Sequence, residues 1–252
     1  MDTMDSKQTG RKRKGLVFAL ALCCLLAVGG VFAWFSTTTS KTNTFTQGGG
    51  IEEPTEKPKP NPNPDGSGDG GTETITPDGN IVETEWVDNT GITPDSIVAK
   101  NPNIGIGKGS KSAYVFVKVE NALDPTNAYF VLGDKWAPVD GLANQYAGDK
   151  DVTITAPDRT YTGGLFVYVG DNKNGTIIEN MAMLTGKTDV SVYTGEVFDK
   201  VYTNKDFKFV GSNSTITIKA YLAAASNKKE DVATSEVKNE ILTKAKAWAK
   251  SN

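Results

Sequence analysis

From about residue 73 onward, apolar side chains return at every second position in short runs. Ala113, Val115, Val117 and Val119 share one side of Ser112 to Glu120, and Tyr114, Phe116, Lys118 and Glu120 take the other. Leu165, Val167 and Val169 alternate with Phe166 and Tyr168. Val152 and Ile154, Val190 and Val192, Phe207 and Phe209, and Ile216, Ile218 and Ala220 keep the same period. A repeat of two belongs to a pleated strand, whose successive side chains point to opposite faces. Asn174-Gly175, between Tyr168-Val169 and Ile177-Ile178, predicts a two-residue hairpin turn of type I′. Roughly nine such strands with turn residues between them predict a mainly β fold over 73–225, an antiparallel, jelly-roll-like β-sandwich.

The period changes near the end of the chain. Over 229–250, Val237, Ile241, Ala245 and Trp248 fall on one helical face. Glu230 and Asp231 stand at its start and Lys244, Lys246 and Lys250 near its end, which matches the helix dipole. Glu240 and Lys244 form a favourable pair four residues apart. The pattern predicts a C-terminal α-helix packed on the sandwich.

The beginning follows neither period. Arg11 to Lys14 is a basic cluster, and Gly15 to Phe35 carries no charge. As a helix that stretch reaches roughly 30 Å, enough to cross a bilayer's hydrocarbon core. It reads either as a retained membrane anchor or as a cleaved signal segment, and the basic cluster keeps the amino end cytoplasmic in both. Val31 and Ala33 supply the modest and small residues a signal peptidase requires, with Gly29 and Gly30 breaking the helix upstream. The expected cut falls before Trp34, giving a signal segment over 1–33. Segment 34–47 is polar, Thr-rich and extended in character. Segment 48–72 is built from Gly, Pro and charged residues, and it predicts a disordered linker, since it lacks the apolar residues that offset ordering entropy.

Composition narrows the chemistry. The 252 residues contain no histidine, and the two cysteines, Cys23 and Cys24, are adjacent within the apolar block. The exported part is thus without the commonest general base, the commonest zinc ligand, a thiol nucleophile and a disulfide. Formal charge is −3, and loss of residues 1–33 makes it −6 by removing five basic and two acidic side chains. That balance gives no reason to expect nucleic acid as a partner, and leaves the membrane as a partner only through an uncleaved signal segment.

Local motifs add no catalytic site. Gly105 to Ser112 resembles a phosphate loop, but Ser110 stands where a glycine must precede Lys111 and a strand follows. Asp171 to Gly175 resembles a calcium loop with Lys173 at a ligand position. Asp65 to Asp69 offers at most weak calcium binding. Lys118 is a possible donor for an isopeptide cross-link. We expect no enzyme, no cofactor and no metal.

Several short segments carry a resemblance. Gly29-Gly30-Val31-Phe32-Ala33-Trp34-Phe35-Ser36, then Asn43-Thr44-Phe45-Thr46-Gln47-Gly48, is similar to the amino terminus of the TasA/camelysin (CalY) family of Gram-positive bacteria. Its members carry a signal segment cut by a dedicated SipW-type peptidase. Lys100-Asn101-Pro102-Asn103-Ile104, running into Ala113 to Val119, and Thr215 to Tyr221 resemble two further family stretches. The Pro-rich insertion at 48–72 departs from the family pattern, as does Gln47 with the glycines after it.

The resemblance implies a secreted structural protein of the extracellular or biofilm matrix, or of the cell surface, which assembles into fibres or decorates them. Its partners would be further copies of itself or related matrix proteins, with the signal peptidase acting during export. Alternation puts Phe35, Thr37, Thr39, Lys41, Asn43 and Phe45 on one side of the segment after the cut. The resemblance implies that this segment is a strand donated to the next subunit, while the long linker equally allows it to fold back on its own domain. Camelysin-type proteins are also described as metallopeptidases, but no His-Glu-x-x-His is present here. The alternative is a tethered, adhesin-like surface module for host glycan or protein.

Overall fold

A computed structural model describes residues 36–44, 46–47, 79–85, 91–148, 159–209, 214–224 and 233–252. The apolar segment, its cleavage residues Val31, Ala33 and Trp34, the linker, Phe35, Phe45, and Val152 with Ile154 lie outside them. The fold is mainly β, with antiparallel, curled sheets and a C-terminal helix. Among the described residues no helix is long and apolar enough to cross a membrane.

The centre of the large sheet is formed by β7 (Ala113–Asn121), β10 (Thr160–Tyr168) and β14 (Thr215–Ala224). Its order is β1-β14-β7-β10-β8-β13-β5, where β1 is Ser36–Thr44, β5 Ile97–Ala99, β8 Ala128–Val131 and β13 Lys200–Thr203. β9 (Trp136–Gln145) pairs with β10, and β11 (Met183–Leu184) with β7. A smaller sheet of order β12-β6-β3 combines Val192–Glu196, Asn103–Ile106 and Gly79–Val82. β2 (Thr46–Gln47) and β4 (Gly91–Ile92) form a short parallel pair.

The alternation in the sequence maps directly onto two apolar layers. Ala113, Val115, Val117 and Val119 join Ile104, Ile106, Phe166, Ile216 and Ile218 in the inner core. Tyr114 and Phe116 point the other way and meet Leu165, Val167, Tyr221 and the helix. The first half of β7 is therefore buried on both faces, with aromatic Tyr114 and Phe116 on the outer one, while Lys118 and Glu120 further along that face are half-buried.

Helix α2 (Ser235–Ser251) covers the outer face. Thr234 caps its start by accepting a hydrogen bond from the Val237 amide. Ile241, Leu242, Ala245 and Ala249 are buried, with Val237 and Trp248 half-buried beside them. Trp248 stacks on Tyr221 of β14, ring centres 5.5 Å apart.

Three sequence expectations are corrected. No hairpin forms at Asn174-Gly175; Ile177–Asn180 is a one-turn helix, α1. Thr176 and Glu179 make a reciprocal capping box there, so two orphan amides are satisfied by a helix start and no strand pairing is needed. Phe207 and Phe209 lie outside any strand, Phe207 buried after a turn. Val190 is exposed and precedes β12.

Candidate interface at the amino-terminal strand

All nine residues of β1 pair antiparallel with β14, from Ser36 opposite Ala223 to Thr44 opposite Thr215. Immediately afterwards β2 leaves that edge and pairs with β4. The segment 36–47 thus closes one edge of the large sheet and then crosses to a second pair. Thr37 lies opposite Leu222 and Thr39 opposite Ala220.

Directly opposed residues in an antiparallel pair share a face. Thr39 and Lys41 stand across from Ala220 and Ile218, which point into the inner core. Both are half-buried, whereas Thr38, Ser40 and Thr42 are exposed. On the outward face the Thr217 hydroxyl contacts the Thr42 hydroxyl at 3.1 Å.

At the inner mouth of this edge lies a group of charges. The Lys41 ammonium approaches Glu83 Oε2 at 3.4 Å, while Glu83 Oε1 accepts a short hydrogen bond from Lys100. The Glu83 and Lys100 side chains are both fully buried, and Lys41 is partly open to solvent. Each oxygen of one carboxylate therefore faces an ammonium, in the arrangement that a charge removed from water requires.

Local structure explains how these groups meet. Glu83 follows β3, and Lys100 follows β5, where its amide donates to Asp199 O at 3.0 Å. Next to it, the Asn101 side chain accepts from the Thr84 and Glu85 amides, each at 3.0 Å. Asn101 also donates to Thr84 Oγ1 at 2.7 Å and to Glu196 Oε1 at 3.1 Å. The Lys100-Asn101 dipeptide consequently ties the end of β3 to β12 and sets Glu83 beneath β1.

Other candidates have ordinary structural roles. Gly105 to Ser112 covers the end of β6 and the loop that leads to β7, turning at Gly109 with φ of 75°. Asp171 to Asn174 is an exposed loop. Lys118 pairs with Glu120 at 2.7 Å and is half-buried. Among the described residues no three His, Cys, Asp or Glu side chains gather to hold a metal. Two open depressions, of about 420 and 580 Å³, share Pro125 and Thr162.

The sequence placed Thr37, Thr39 and Lys41 on one side of the amino-terminal strand but did not link Lys41 with Glu83 and Lys100. The available signal was a charged residue at an inward position of a strand-edge run, Glu83 directly after Ile81-Val82. No protein-family model, curated protein or solved structure matches this chain.

Proposed function

We propose that this is a secreted structural protein of the extracellular matrix, built on a jelly-roll-like sandwich, which assembles into fibres or decorates them by donating its amino-terminal strand. The observation that carries this reading is the nine-residue pairing of β1 with β14. β1 has no apolar residue of its own, so main-chain hydrogen bonds hold it to the edge. A strand held in this way is interchangeable with the same strand of another copy, because an identical strand offers the same backbone ladder and the same Lys41 to Glu83.

Connectivity supports the same reading. Residues 48–78 separate β2 from β3, and that length leaves the strand attached to its domain through a long covalent tether. The resemblance of residues 29–48 to the TasA/camelysin family points in the same direction. Electron microscopy of the secreted protein tests the proposal. Fibres are expected from the chain beginning at Trp34, and none from a chain beginning after Gln47. Equal fibre yield from both would refute strand donation, and persistent monomers of the longer form at high concentration would refute the structural role.

A further inference from the structure

β1 presents a puzzle of register. Its sequence, Ser-Thr-Thr-Thr-Ser-Lys-Thr-Asn-Thr, has no apolar set to be turned towards the core. A polar strand is weakly specified, and a slip of two residues keeps both faces and most of the hydrogen-bond ladder. Yet β14 offers one defined track, with Ile218 and Ala220 facing inward. Lys41 is the one charged residue of β1, and its ammonium reaches the fully buried Glu83.

We infer that Lys41 is the register key of this interface and that the buried Glu83–Lys100 pair is the lock it enters. The β14 edge accordingly accepts an extended, polar strand with a lysine opposite Ile218. Sliding β1 by two residues would carry that lysine about 7 Å along the edge, further than an ion pair spans. Thr39 or Asn43 would then stand opposite Ile218, and Glu83 would lose the ammonium at Oε2. A negative charge entering at the same place would meet a buried carboxylate and be rejected, so the site discriminates by charge as well as by length.

The partner this edge selects is a strand of this same sequence, whether from its own domain or from a second copy. Only the second case rests on the assembly reading. The lock itself is built entirely from residues outside the strand, Glu83 and Lys100, and is present whichever copy supplies the key.

Engineered disulfides read the register in the full chain carrying Cys23→Ser and Cys24→Ser. With Thr42→Cys and Thr217→Cys, which are directly opposed, the disulfide should form readily under mild oxidation. Moving the lysine by Thr39→Lys with Lys41→Thr should slide the strand. The Thr42/Thr217 cysteine pair should then lose at least ten-fold in oxidation rate to a Ser40/Thr217 cysteine pair. Lys41→Met should let both pairs form at comparable rates, while Lys41→Arg should keep the original one. The inference is overturned if Thr42/Thr217 stays dominant in the moved-lysine or methionine chains. Circular dichroism of each chain confirms that the β fold is kept, and amide exchange along β14 supplies an independent register reading. Non-reducing gels separate the two sources. Cross-links within one chain that follow the lysine support the key while failing strand donation, and ladders between chains that follow it support both.

Discussion

Asp124 sits in the turn between β7 and β8, where it organises its own surroundings. Oδ1 accepts from the Thr126 and Asn127 amides at 3.0 and 3.1 Å, and Oδ2 from Asn127 Nδ2 at 2.9 Å and the Lys208 amide at 3.3 Å. Burial pushes this carboxyl up, but the Asn127, Lys208 and Thr126 hydrogen bonds outweigh it and hold the group below its ordinary 3.8. A group whose folded value is depressed stabilises the fold fully above its unfolded value, and that contribution disappears as pH falls through the folded value. Asp124→Asn should therefore lower Tm by a few degrees at neutral pH, and the gap to the parent should close in acid below 3.8. A gap of constant size across that range would show that the charge is irrelevant. Gly164 makes a different demand. It takes φ of +117°, and a Cβ there would come within 2.4 Å of Leu142 O, at a register shift between β9 and β10. Gly164→Ala should cost about 1–3 kcal/mol from backbone strain alone, with the close contact adding to it, as measured by denaturant midpoint.

The elements show which parts of the fold the sequence makes visible. Helix α2 and its buried face follow from local periodicity, and the observed start at Ser235 falls a few residues later than the charge pattern suggested because Thr234 supplies the cap. Ile241 lies at the middle of that face and is fully buried. Ile241→Ala should destabilise the protein by about 2–5 kcal/mol through lost burial and the cavity left behind. Urea unfolding checks this, and a loss under 1 kcal/mol would mean that the helix packs loosely on Tyr114, Phe116 and Leu165. The alternation in β7 and β10 was legible for the same local reason, since each face has its own repeat. At Asn174-Gly175 two local signals competed, and the capping box of Thr176 and Glu179 prevailed over the hairpin dipeptide. The Lys41–Glu83–Lys100 group was not legible, because its members come from three separate segments and only the sheet order brings them together. Strand pairing over such separations leaves no periodic trace in the chain.

At the scale of the whole molecule, the pairing of β1 with β14 within one chain constrains how the proposed strand donation would proceed. A strand tethered to its own domain competes for the edge at an effective concentration on the order of mM. A second copy at micromolar concentration cannot match that by collision alone, so exchange has to wait for β1 to detach. Assembly should then show a slow step whose rate does not rise in proportion to protein concentration, followed by faster growth once free edges exist. The same logic predicts an inhibitor. A synthetic peptide covering Trp34 to Gln47, added in excess, should occupy exposed β14 edges and suppress elongation. Replacing its lysine, Lys41→Glu, should remove most of that inhibition, since the carboxylate would face the buried Glu83 in place of an ammonium. Light scattering with electron microscopy of the end points follows both effects. Growth unaffected by the parent peptide would mean that fibres, if they form, are joined through another surface. The outer side of β5, which pairs with no strand among the described residues, would be the next to test, because Ile97 is more than half exposed there.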